Sequence, residues 1–245
     1  MDNTNKKESP VFKIPQRKNM FEAYNGLVSK FLSKFIVKTP LTPNHITVIS
    51  GIFGIIGAMI LMYQNRVSLI YAGIAIQLFC YLDAVDGDIA RMKKMQTHFG
   101  NWLDIFFDKL NDFLIILCLS IGLHLKTGRV DSLYLGIILM GLVFFIQFLM
   151  VSNSIIFSKV ISDETGIIGS SSSNIVSKLQ SYSLFNVVRR FVANHLLLEH
   201  CAFLFLISLF CIINQIEFGL WFLVIHAGFT LVYILLASGL QLKNK

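Results

Sequence analysis

Four aspartates, Asp83, Asp86, Asp104 and Asp108, stand inside stretches of this chain that are otherwise apolar enough to cross a bilayer. A carboxylate in hydrocarbon is costly. A chain that keeps four there turns them toward one another inside a helical bundle, as functional groups rather than as packing. Composition supports that frame. Only 14% of the 245 residues are charged, against about 25% in soluble domains. The chain reads as all-α, a polytopic membrane helical bundle.

Along the chain the apolar pattern divides into pieces. Residues 1–19 are polar and basic without an apolar core, so nothing there reads as a cleavable leader. Over 20–38, Phe21, Tyr24, Leu27, Val28, Phe31, Leu32, Phe35 and Ile36 recur at helical spacing, with Lys30, Lys34 and Lys38 off the stripe. This predicts an N-terminal amphipathic juxtamembrane helix that lies in the interface plane, packs on the bundle, or does both. Pro40 and Pro43 then end that helix, and Thr42 or Asn44 can cap the next. Six transmembrane helices follow, at about 44–63, 67–92, 98–124, 131–160, 196–214 and 218–240. Each is long enough for a hydrocarbon core of roughly 30 Å. The longest connection, 163–195, opens on a Gly/Ser run. It then carries Ile175, Val176, Leu179, Leu184, Val188, Phe191 and Val192 as a second candidate interfacial helix. The expected organisation is a tail and interfacial helix over 1–38 and a six-helix membrane domain over 39–245.

Lysine and arginine set the orientation. Six spans put both termini on one side. That side carries the eight basic residues of the first 38, with Arg91, Lys93, Lys94, Lys159, Lys178, Arg189, Arg190, Lys243 and Lys245. The other side has Arg66, Lys126 and Arg129. Both termini, and the aspartates near the inner end of the second span, are therefore expected on the cytoplasmic face of a cell membrane. The net charge of +7 flanks apolar spans rather than forming one patch, which points to anionic lipid and away from nucleic acid. Cys80, Cys118, Cys201 and Cys211 sit in apolar segments without C-x-x-C spacing and read as buried packing.

Spacing gives the aspartates a common geometry. Asp83, Asp86, Gly87 and Ala90 stand at i, i+3, i+4 and i+7, and Gly100, Asp104 and Asp108 at i, i+4 and i+8, so each set occupies one helix face. The short connection at 94–97 makes the two helices antiparallel neighbours, and the four carboxylates converge. Divalent cations relieve the repulsion, and oxygen-only ligands favour Mg2+ or Mn2+, often bound together with substrate phosphates. Gly87, Ala90 and Gly100 leave room for a ligand against the backbone, and Arg91 supplies a cation suited to phosphate. Only Arg91 and Lys109 are near enough to pair with these acids, too few for a merely structural network. Asp88 points roughly 200° away from Asp86 and reads as solvated or paired with a lysine. Asp112 lies nearer the face of Asp108, with a secondary role open.

The pattern Asp83-x2-Asp86-Gly87-x2-Ala90-Arg91-x8-Gly100-x3-Asp104-x3-Asp108 resembles, at all eight fixed positions, the signature of the class I CDP-alcohol phosphotransferases (CDP-alcohol phosphatidyltransferases). Pro43, Asn44 and Thr47, the six spans and the amphipathic first helix resemble that family too, over roughly residues 20–240. The resemblance implies displacement of CMP from a CDP-linked alcohol, such as CDP-diacylglycerol, by the hydroxyl of an acceptor alcohol, in phospholipid biosynthesis. It implies two divalent cations held by Asp83, Asp86 and Asp104, with Asp108 as general base that also touches a metal. It implies a CDP site lined by Gly87, Ala90 and Gly100, with Arg91 on the diphosphate and Thr47 nearby, and it implies a homodimer. Lys109 resembles the lysine of glycerophosphate-using relatives, although Ile105 stands where those have proline; inositol-phosphate users prefer arginine at the Lys109 position. Lys109, Arg189 and Arg190 are the candidate clamp for a charged acceptor.

Two other readings compete. A cation-coupled transporter explains acidic residues in lipid but gives no use for Gly87, Ala90, Gly100 and Arg91, and no inverted repeat is visible. An intramembrane prenyltransferase also uses acids, Mg2+ and diphosphate, but with more spans and two separated motifs. His98, His195 and His226 read as surface or packing residues, and His200, after Glu199, as part of an interfacial polar pair.

Overall fold

The structure, a computed structural model, describes residues 20–167 and 200–243. All regular structure among the described residues is helical: α1 (Met20–Ile36), α2 (Pro43–Leu61), α3 (Arg66–Met92), α4 (His98–Thr127), α5 (Asp131–Ile167), α6 (His200–Ile212) and α7 (Ile216–Lys243). The 1–19 tail, the interfacial helix expected within 163–195, and Arg189, Arg190, His195 and Glu199 lie outside the described residues; 163–167 are the end of α5.

Local chemistry fixes where the helices begin. Of the two candidate caps for α2, Thr42 is the one used: its hydroxyl accepts the His45 N–H (3.4 Å), and Pro43 takes the first helical position, where a missing N–H costs nothing. Asn65 and Ser68 cap α3 reciprocally. Thr97 caps α4 by accepting the Gly100 N–H at 3.0 Å. Each such cap contributes about 1 kcal/mol. The α4 helix ends on Gly128 in the left-handed region (φ 69°), where a side chain is disfavoured.

Four segments are long and apolar enough to cross a membrane: Pro43–Leu61, Arg66–Met92, Asp131–Ser152 and Ile216–Leu236. The 30-residue α4 has the length but carries Asp104, Asp108, Lys109 and Asp112, and α6 as described is a shorter apolar helix of 13 residues.

The α2 helix packs against both α3 and α4; α3 also packs on α1 and α6, and α5 on α4 and α7. The α3 and α4 backbones make few close approaches to each other, so their acidic side chains reach across a gap. One core runs through the bundle, with Leu61, Ile76, Phe79, Ile115, Leu119, Leu139, Phe203, Leu204 and Leu220 fully or almost fully buried. Lipid is as apolar as leucine, so helix association in a membrane relies on close fit rather than on hydrophobic burial. Two glycines show that fit. A Cβ at Gly122 would stand 2.6 Å from the Leu61 carbonyl oxygen, and one at Gly73 would stand 2.9 Å from that of Ser208.

The apolar stripe of α1 is split. Leu32 and Ile36 pack on the small cluster of Ile46, Val85 and Ile89, while Tyr24, Leu27, Phe31 and Phe35 stay exposed. The face turned to α3 is polar and buried: Asn25 donates to Cys80 Sγ (2.9 Å), and Ser29 lies within hydrogen-bond distance of the Ala84 carbonyl (2.9 Å) and of Asp88. Helix α1 thus docks on the bundle by hydrogen bonds and leaves an apolar face outward. No disulfide forms among the described residues, and Cys80, Cys118 and Cys211 are buried.

Candidate active site

The N-terminus of α2, the last turns of α3, the connecting loop and the first turns of α4 enclose a cavity of about 330 Å3. Seven of the candidate site residues read from the sequence line it: Thr47, Asp86, Gly87, Ala90, Arg91, Gly100 and Asp104, with Pro43 and Asn44 beside them. The sequence reasoning missed three of its polar neighbours, Gln96, Thr97 and Asn101, which follow no periodic pattern and come to the cavity through the loop and the start of α4. Two helix N-termini, those of α2 and α4, meet at this cavity, and their partial positive charge favours an anion there.

Asp83 and Asp108 stand beside the cavity rather than among its lining residues. Ligand atoms of Asp83, Asp86 and Asp104 lie within 4.8 Å of one another, and so do those of Asp83, Asp108 and His200. The two clusters share Asp83. The Thr47 hydroxyl donates to Asp86 and orients it. Among the described residues, no lysine or arginine forms an ion pair with Asp83, Asp86, Asp104 or Asp108. Carboxylate oxygens gathered this closely without lysine or arginine partners form a donor set suited to a hard divalent cation, so the residues fit the metal that the sequence implies.

The glycines of the motif have different reasons for being glycine. A Cβ at Gly87 would meet only the Arg91 guanidinium, at an ordinary 3.6 Å, and would otherwise project into the cavity. A Cβ at Gly100 would stand 2.8 Å from Asn44 Oδ1 and 3.0 Å from Thr97 Oγ1. Gly87 therefore keeps space for a ligand, and Gly100 keeps space for the protein's own cap and for Asn44.

Three residues sit differently from expectation. Asp88 pairs with an arginine: Arg91 Nη2 donates to it at 2.7 Å, and Ser29 of α1 bonds its other oxygen. It thereby tethers the arginine that lines the cavity. His200 turns toward the acids of the site. Its ring is wedged between two carboxylates, with Nε2 3.4 Å from Asp108 Oδ1 and Nδ1 3.1 Å from Asp112 Oδ1. Asp112 is fully buried and accepts from Gln147 Nε2 at 2.9 Å. Lys109 does not line the cavity; it lies in an apolar groove with Trp102, Ile105, Phe106, Leu110, Phe113 and Phe144. His226 packs beside the Phe222 ring, and His98 is exposed at the start of α4.

Comparison with known proteins gives this geometry a context. Over 102 residues the chain is 34% identical to the bifunctional IPC transferase and DIPP synthase of Aquifex aeolicus, covering 42% of this chain and 22% of that protein. It is 31% identical over 91 residues to the archaetidylinositol phosphate synthase of Pyrococcus horikoshii (37% and 47%), and 33% over 81 residues to the phosphatidylinositol phosphate synthase of Corynebacterium glutamicum (33% and 36%). The match thus spans less than half the length of each of these relatives. The fold is that of Mycobacterium tuberculosis phosphatidylinositol phosphate synthase. The crystal structure of that enzyme with CDP-DAG bound superposes with a TM-score of 0.58 at 15% identity, over 86% of this chain and 94% of that one. Its complex with manganese and citrate superposes at 0.53 and 16%, over 86% and 88%. The family model for CDP-alcohol phosphatidyltransferase matches residues 40–232, a stretch that holds the entire cavity and all four aspartates. The chain belongs to the CDP-alcohol phosphatidyltransferase family.

Proposed function

We propose that the protein transfers a substituted phosphate group from a CDP-linked alcohol, a CDP-lipid such as CDP-diacylglycerol, to the hydroxyl of an acceptor alcohol, releasing CMP in phospholipid biosynthesis. The observation that carries this reading is the pairing of the cavity with its acids. A space of about 330 Å3, kept open by Gly87 and bounded by two helix N-termini and Arg91, adjoins four carboxylates that no lysine or arginine among the described residues pairs. Such a cavity suits a nucleoside diphosphate. The relatives whose names specify inositol phosphates support a phosphorylated polyol as acceptor.

In this reaction the acceptor oxygen attacks the β-phosphorus of the donor. The bond from that phosphorus to the bridging oxygen of CMP breaks, CMP leaves with the bond's electrons, and the acceptor proton passes to a base. Asp108, one turn beyond Asp104, takes that proton. Asp83, Asp86 and Asp104 would hold two divalent cations, Mg2+ or Mn2+, with Asp108 as a further ligand; Asp83 is the carboxylate common to both clusters. When bound, these ions neutralise charge on the diphosphate and on the leaving CMP. Thr47 keeps Asp86 turned to the site, and Arg91, tethered by Asp88, meets the diphosphate. Gly87 and Ala90 let the nucleotide lie against α3, and Gly100 serves the nucleotide by keeping Asn44 and the Thr97 cap in place. Lys109, which follows Asp108 in sequence, joins Arg189 and Arg190 on the charge of the acceptor.

The membrane arrangement belongs to the same proposal. Helices α2 to α7 form six spans of a domain over 39–245, and residues 1–38 form a tail and an interfacial helix whose exposed Leu27, Phe31 and Phe35 enter the lipid surface. Both termini and the active site face the cytoplasm, and the protein works as a homodimer. The test is direct. Purified protein with Mn2+, CDP-diacylglycerol and a panel of polyol and polyol-phosphate acceptors should release CMP with at least one acceptor, and Asp108→Asn should not. No CMP with any acceptor, or equal release by Asp108→Asn, contradicts the reading.

A further inference from the structure

The structure assigns His200 as a positioning residue for Asp108, anchored through Asp112 and Gln147. The assignment rests on the transfer reading above, in which Asp108 is the base. None of these three supporting residues belongs to the eight-position motif, and none lines the cavity.

The chain of contacts draws on three helices. Gln147 of α5 donates to Asp112, Asp112 faces His200 Nδ1, and His200 Nε2 faces Asp108. Asp112 and Asp108 are one turn apart on α4, so a single imidazole spans both. The ring cannot swing freely. Phe79 packs against it edge to face at 5.9 Å, and Asp112, at 0% exposure, has no other place to go. Asp108 Oδ1 is sealed from solvent and stands at ion-pair distance from His200 Nε2, and on this assignment Oδ2 is the oxygen that meets an acceptor hydroxyl. A carboxylate fixed at one oxygen keeps the other aimed. A base must stand within hydrogen-bond reach of the proton it abstracts, and small misplacement is costly in turnover. Buried partners of this type orient a working group without touching the substrate.

His200 also stands close enough to Asp83 and Asp108 to compete as a metal ligand, and the experiment separates the two roles. Steady-state CMP release and the electron paramagnetic resonance of bound Mn2+ are measured for wild type, His200→Ala, His200→Gln and Asp112→Asn. The positioning role predicts that His200→Ala lowers kcat by about 10- to 100-fold while donor KM and Mn2+ affinity hold. It also predicts that glutamine restores part of the loss, and that the Mn2+ signal carries no histidine nitrogen coupling. Unchanged kcat, or a nitrogen coupling lost in His200→Gln, overturns it. A second arm needs no donor: the ring 15N resonances of His200 should shift in both Asp108→Asn and Asp112→Asn. If they move in neither, the contact is refuted, whether or not the wild type releases CMP. A wild type silent with every acceptor, but with those shifts present, refutes the transfer reading alone.

Discussion

The two ends of this bundle handle charge in opposite ways. At the loops joining α4 to α5 and α6 to α7, Arg129 donates to Asp131 at 3.0 Å and to Glu217 at 2.6 Å, all three exposed. The Asp131 hydrogen bond and the Glu217 charge hold the Arg129 guanidinium above its ordinary pKa. Charge there is matched within the protein, in water, where such pairs contribute little. At the cavity end four carboxylates converge with no lysine or arginine paired to them among the described residues. The nearest arginine, Arg91, is tethered to a fifth acid, Asp88. One end has its counter-ions built in, and the other leaves its negative charge for something bound. That contrast separates a structural ion pair from a site.

Substitutions can break or sharpen the contrast. The largest effect should come from Asp108→Asn, with turnover reduced by about 100- to 10,000-fold and the folded helix content retained, read by CMP release and circular dichroism. Gly87→Leu should come next. Its side chain enters open cavity, so donor KM should rise roughly 10- to 100-fold with Tm held, measured by kinetics and thermal unfolding on the same preparation. A Tm loss equal to that of a core substitution would mean that Gly87 serves packing instead. Gly100→Ala should do the reverse, costing about 1–3 kcal/mol of stability because Asn44 and the Thr97 cap must shift, with donor binding affected only through them. The smallest effect is expected at the other end: Arg129→Gln should leave CMP release unchanged and Tm nearly so.

Much of this contrast was legible in the sequence because it is local. Asp83, Asp86, Gly87, Ala90 and Arg91 share one helix, and Gly100, Asp104 and Asp108 the next, so a period of 3.6 residues was enough to bring six of them, with Thr47, to one cavity. The capping signal at Thr42 was of the same short-range sort. What the sequence hid was long-range. His200 meets Asp112 across 88 positions of chain, and Ser29 meets Asp88 across 59; no spacing rule joins residues on helices so far apart. The stripe of α1 was an incomplete guide for a related reason. Periodicity finds the apolar face, but Asn25 and Ser29 show that the buried face is partly polar, because α3 offers Cys80, a carbonyl and Asp88 to bond. The spread of α3 and α4 was also invisible, since a short loop fixes how two helices connect and α2 decides how closely they pack.

Mn2+ uptake measured by titration calorimetry on wild type and Asp83→Asn tests the central claim most directly, because Asp83 is the carboxylate that both clusters share. The account predicts two ions bound per chain in the wild type, their affinity strengthened by CDP, and neither ion held by Asp83→Asn at the same concentrations. Identical uptake by the two proteins, with or without CDP, would contradict it.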